Sequence, residues 1–97
     1  MEPTDRVDLN INGLRGYVER DICRADEWWN WVIRLPRDDG RFFKLDSSYM
    51  VRPEWPFKTK EAALESLYEV MAQFEINEVV ITDETDLSEL QRIARGE

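Results

Sequence analysis

Two dipeptides, Asn12-Gly13 and Asp39-Gly40, constrain this chain most, because each lies between stretches in which apolar and polar residues alternate. Ahead of the first, Val7, Leu9 and Ile11 fall on one side of an extended chain. Asn-Gly is the favoured pair for a type I′ turn, so the chain should return antiparallel from Leu14 to about Cys23, with Gly16 expected to mark a bulge. The stretch Asp26 to Pro36, DEWWNWVIRLP, carries three of the four tryptophans. Read as a strand ended by Pro36, it places Trp29, Trp31, Ile33 and Leu35 on one face and Trp28, Asn30, Val32 and Arg34 on the other. The Arg37-Asp38-Asp39-Gly40 turn then leads into a returning strand, with Phe43 and Leu45 on one side and Phe42 and Lys44 on the other.

Past Ser47 the pattern changes. Pro53 and Pro56 deny backbone donors, and the segment from Tyr49 to Phe57 reads as either a weak strand or a loop. Thr59 is placed to N-cap a helix in which Ala63 or Leu64, Leu67, Tyr68, Met71 and Phe74 recur at helical spacing, with Lys60, Glu61, Glu65, Glu69 and Glu75 outside that stripe. Asn77 to Thr82, NEVVIT, reads as a short strand, and Asp86 with Glu89 resembles a capping box opening a last helix that Gly96 closes. The expected fold is α+β: an antiparallel sheet of about four to five strands, one main amphipathic helix packed on one face, and a short C-terminal helix. The more apolar odd-numbered row of the tryptophan strand should meet the helix, leaving Trp28, Val32, Arg34, Phe42 and Lys44 for the other face.

Ninety-seven residues form one domain with one core, here read as spanning the whole chain with flexible ends at residues 1–6 and 96–97. No apolar stretch exceeds three residues and the opening MEPTDR has no signal-peptide pattern, so a soluble cytoplasmic protein without membrane contact is expected. A lone cysteine, Cys23, cannot form an intrachain disulfide, which suits a reducing compartment.

The chain has no histidine, which removes Ser-His-Asp and Cys-His mechanisms and imidazole-based zinc sites. Ser47-Ser48 has no visible base, and neither a Gly-rich phosphate loop nor a Cys-x-x-Cys pair occurs. Asp38 to Gly40 lacks the spaced oxygen ligands of a calcium loop, and the acids of Thr82 to Asp86 with Glu89 suit a helix N-terminus. The sequence therefore reads as non-catalytic, without metal or cofactor.

Charge is uneven. Met1 to Asn12 holds one Arg against three acids, net −2; Gly13 to Lys60 holds ten Lys/Arg against eight acids, net +2; Glu61 to Glu97 holds two against ten, net −8. The total of −8 thus comes mainly from the last third, and it favours cationic partners while repelling phosphates at long range.

The segments LRGYV, WWNWVIRLPRDDGRFFKL and FKTKEAALESL are similar to elements of the sheet-plus-helix DNA-binding domains of plant ethylene-response factors and the arm-binding domains of tyrosine integrases. That resemblance implies Arg15, Trp29, Trp31, Arg34 and Arg41 as DNA contacts. Those domains are strongly basic, whereas the matching segment here is barely positive.

The leading expectation is a small acidic module that binds a basic protein surface, of inhibitor, immunity, antitoxin or nucleic-acid-mimic type. Glu61, Glu65, Glu69, Asp83, Glu84, Asp86 and Glu89 would supply the field, with Trp28, Phe42 and Trp55 as apolar anchors. The alternative is nucleic-acid binding by the aromatic and basic sheet face, through Trp28, Arg34, Phe42 and Lys44. A homodimer is compatible with either.

Overall fold

The computed structural model describes residues 6–21, 28–49 and 57–96. Four strands, β1 (Arg6–Ile11), β2 (Leu14–Asp21), β3 (Trp28–Pro36) and β4 (Phe42–Asp46), form an antiparallel meander in the order β1-β2-β3-β4. A 3-10 turn at Ser47–Tyr49 follows, then α1 (Lys60–Ile76) and α2 (Leu87–Ala94). The fold is α+β, with a long helix on one face of the sheet and a short C-terminal helix beside it.

The turn chemistry acts as its residues dictate. Asn12 and Gly13 adopt φ of 52° and 90°, the double positive φ of a type I′ turn, and fix Ile11 opposite Leu14. Gly40, at φ 85°, closes the β3–β4 turn, where the Arg37 N–H donates to the Arg41 carbonyl. Gly16 makes no bulge, since the register runs unbroken through Leu9↔Gly16↔Ile33. Its missing side chain has another cause: a Cβ there would lie 3.0 Å from the Val32 carbonyl oxygen, 3.1 Å from Met71 Sδ and 3.2 Å from Leu67 Cδ1, so α1 crosses the sheet at this point.

The odd-numbered face is the core. Trp31, Ile33 and Leu35 are fully buried with Val18 and Leu45 beneath Leu67, Val70, Met71 and Phe74 of α1, and Trp29 is partly buried at the margin. The Trp31 indole N–H donates 3.0 Å to Ser66 Oγ on α1, so this large ring is buried without an unpaired donor. β4 pairs with β3 only as far as Asp46↔Val32, and beyond it the Ser47 hydroxyl accepts the Trp31 backbone N–H at 3.2 Å and the Phe57 carbonyl accepts that of Trp29 at 2.8 Å. The edge of β3 is thereby satisfied after its partner strand ends.

Thr59 Oγ1 accepts the Ala62 N–H at 3.1 Å, as the N-cap reading expects. The buried stripe of α1 differs from the expected one at three residues: Tyr68 is 51% exposed, while Ser66 and Val70, outside the expected stripe, are buried. Positions 63, 66, 67, 70, 71 and 74 form a continuous strip at 3.6 residues per turn, and Tyr68 lies about 100° around the helix from Leu67.

The expected strand at Asn77 to Thr82 shrinks to a single bridge. Ile81 N–H donates to Pro36 O at 2.8 Å and Asp38 N–H to Ile81 O at 3.0 Å, pairing Ile81 with Arg37 in parallel. β2 already occupies β3 as far as Arg34, which leaves only the backbone beyond it for another partner. Asp86 caps α2 by accepting the Ser88 N–H at 3.1 Å, and Gly96 at φ 79° follows the helix. In the Tyr49 to Phe57 stretch, Tyr49 ends the 3-10 turn and Phe57 bridges Trp29, while the rest lies outside the described residues, as does the predicted end of the second strand near Cys23. No helix among the described residues is long and apolar enough to cross a membrane.

The open sheet face as candidate functional site

Strand alternation sends the remaining side chains of the sheet to the face that α1 does not cover, and the registers sort them into cross-strand rows. Nearest the Trp28 end, Arg6, Glu19 and Asn30 lie side by side; the next row is Asp8, Tyr17, Val32 and Asp46. Arg6 sits 3.8 Å above the Tyr17 ring and pairs with Asp8 at 3.2 Å, so that cation and that acid are both engaged. Asp46 accepts the Ser48 N–H at 2.7 Å.

The third row is different: Asn10, Arg15, Arg34 and Lys44 are directly opposite one another across all four strands. Three adjacent members are cations, and none of the three has an ion pair or side-chain hydrogen bond with another described residue. Side chains directly opposite in a sheet stand about 5 Å apart at Cβ, and like charges there oppose folding. Two unit charges roughly 7 Å apart in water repel by about 0.6 kcal/mol before salt screens them. Arg15 and Arg34 help line a hollow of about 350 Å³ with Arg6, Asp8 and Tyr17.

One row further on, Phe42 opposes Pro36 and is 64% exposed. It borders a second hollow of about 370 Å³, walled by Leu14, Pro36 and Val80, which wraps around the end of the sheet. Arg34 lines both hollows and so joins the cationic row to the apolar cleft.

Arg34, Phe42 and Lys44 are therefore brought together as the sequence suggests. Trp28 shares their face but is half-buried at the far end of β3, about 20 Å from Arg34 at 3.4 Å per residue. Glu61, Glu65 and Glu69 are exposed on α1, in the other layer of the molecule. Asp83, Glu84, Asp86 and Glu89 form a third group in and after the turn before α2. Two of these have local partners: Asp83 accepts from Arg37 at 2.8 Å and Asp86 caps α2. Trp55 lies outside the described residues. Of the residues implied by the DNA-binding resemblance, Arg15 and Arg34 share the open face, Arg41 is exposed in the turn, Trp29 is partly buried and Trp31 is enclosed under α1.

At the β3–β4 turn, the Arg37 guanidinium is held above its ordinary value, chiefly by its hydrogen bond to Asp83 and also by Asp39. The Asp39 carboxyl is held below its ordinary value, first by the Arg41 backbone N–H it accepts and then by Arg37. Both residues serve the turn. Among the described residues no group of three or more Cys, Asp or Glu converges as a metal site.

Arg15 is the member of the cationic row that residue pattern alone does not select. Its place beside Arg34 depends on the β2–β3 register, whose connection carries no diagnostic turn pair. No protein-family model, curated protein or solved structure matches the chain.

Proposed function

We propose that the chain is a small non-catalytic binding module whose open sheet face takes a phosphate-bearing macromolecule. The observation that carries this reading is the row Arg15, Arg34 and Lys44, three adjacent cations, none of which makes an ion pair with a described residue. Juxtaposed like charges cost stability in the free protein, and an anion laid across them removes that cost. The net charge of −8 does not cancel the row locally. The α1 acids lie beyond the sheet and the body of the helix, roughly 15 Å away, and the screening length at physiological salt is about 8 Å. A gel-shift assay with short oligonucleotides at low salt tests the reading. A shift that Arg34→Ala or Lys44→Ala abolishes is the expected result, and no shift even at low salt sinks it.

The acidic reading rests on a separate surface. Glu61, Glu65 and Glu69 are exposed around Tyr68 on α1, a stripe about 12 Å long that suits a basic protein surface. Its anchors Trp28 and Phe42 belong to the sheet, so this binding would use α1 without them. Binding of a lysine-rich peptide that weakens from low to moderate salt and is lost in a Glu61→Gln, Glu65→Gln, Glu69→Gln variant supports it. Salt-independent binding removes its electrostatic basis.

A further inference from the structure

Resting on the phosphate-binding reading of the open face, we infer that the ligand is a single-stranded nucleic acid, with phosphates on the Arg15–Arg34–Lys44 row and one unstacked base in the cleft beside Phe42. The two parts of the surface are contiguous. Phe42 stands two residues from Lys44 on β4, about 7 Å along the strand, and Arg34 lines both the cationic hollow and the apolar one. That offset suits a nucleotide, whose charge and flat apolar ring are linked by one sugar.

The cleft itself selects against charge. Glu75 and Glu78 stand at its rim, and the Glu75 carboxylate accepts from Asn12. These carboxylates repel a phosphate from the cleft while leaving Phe42, Leu14, Pro36 and Val80 to contact an uncharged ring. An exposed aromatic beside a cationic track is the arrangement that holds single strands, because each base offers a face for stacking. A base inside a duplex is already stacked and cannot enter a cleft that turns around the end of the sheet. A flat anionic membrane would reach the row but not this recess, and a phosphopeptide supplies isolated phosphates rather than a repeating track.

Fluorescence anisotropy with the intact chain tests this, using a labelled ten-nucleotide thymidine strand, an abasic strand of the same length and a ten-base-pair duplex. The single strand should bind several-fold or more tightly than the abasic strand, since stacking of one base is worth at least about five-fold in affinity. Phe42→Ala should lose that advantage and leave abasic binding unchanged. Phe42→Trp should restore it, and thermal melting should show both variants folded. The slope of log affinity against log salt should be about −2 for three neutralised phosphates on a single strand. Equal binding of all three ligands, with Phe42→Ala silent, overturns the base cleft but leaves phosphate binding standing. Binding to none of them at low salt overturns both readings. Binding only to anionic lipid vesicles or to a phosphopeptide overturns the single-strand inference.

Discussion

The two faces of β3 are made by the same nine residues and obey different rules. On the odd side Trp31, Ile33 and Leu35 have no exposed surface, and even the indole N–H has a partner in Ser66. On the even side Arg34 is half-buried between two cations, and beyond it Phe42 stands in solvent. The buried side meets the demands of a core in apolar bulk, close approach at Gly16 and a partner for the Trp31 indole N–H. The open side violates two demands of an ordinary surface by lining up like charges and exposing a large aromatic ring. Where every local rule is kept, residues explain the fold; where rules are broken, a functional or strained site is expected, and the proposed binding role is the reading that fits this one.

The largest effect that can break this comparison is on the odd side. Trp31→Ala should destabilise the protein by about 3–5 kcal/mol, through the cavity it leaves and the Ser66 partner it removes. A domain of this size has roughly 5–15 kcal/mol in total, so the urea midpoint should fall steeply. A loss under about 1 kcal/mol would mean that α1 does not depend on this ring. Gly16→Ala comes next, at about 1–3 kcal/mol, because the new methyl group meets a backbone oxygen of the neighbouring strand that cannot give way without moving the sheet. An unchanged midpoint would place α1 further from β2 than the 3.1 Å and 3.2 Å approaches of Met71 and Leu67 imply.

The even side should answer oppositely. Arg34→Ala should change unfolding free energy by no more than about 0.5 kcal/mol, with relief of charge repulsion offsetting lost contact by its aliphatic stem. Equilibrium unfolding in urea checks it. A loss of 2 kcal/mol or more would make Arg34 part of the architecture and erase the separation of the faces.

The legibility of the sequence followed the same division. Alternation in Trp28 to Leu35 tells which side meets α1, although Val32 on the opposite side is also buried, and Asn12-Gly13 sets the β1–β2 register, because both signals are local. Thr59 and Asp86 marked the starts of both helices for the same reason. Tyr68 was misplaced because a phenol at helical spacing resembles a core residue until the helix is set against its sheet. Asn77 to Thr82 has strand composition, yet the edge available to it is one residue long, a tertiary limit that β propensity does not encode. Arg34, Phe42 and Lys44 could be grouped from one hairpin, but Arg15 required a register across a connection without turn chemistry, and Glu61 to Glu69 required knowing how the layers stack.

The smallest effect lies off both faces, at the turn that ends β3, and it separates turn chemistry from either. The Asp39 carboxyl accepts the Arg41 N–H at 2.9 Å and pairs with Arg37 at 3.4 Å, which lowers its pKa from the ordinary value of 3.8. A carboxyl with a depressed folded value contributes stability that is fully present above the unfolded value and fades as pH falls through the lowered one. Arg37 stays charged throughout, so this change belongs to the acid alone. Asp39→Asn keeps an oxygen to accept from Arg41 but loses the charge that faces Arg37. Wild type should therefore melt slightly higher than Asp39→Asn at pH 6, with the gap closing on acidification below about pH 4. Exposure to solvent keeps the gap small. Thermal melts of the two proteins at pH 6, 4 and 2.5 measure it directly, and a gap that widens in acid would show that the folded protein prefers the neutral carboxyl, reversing the role given to this turn.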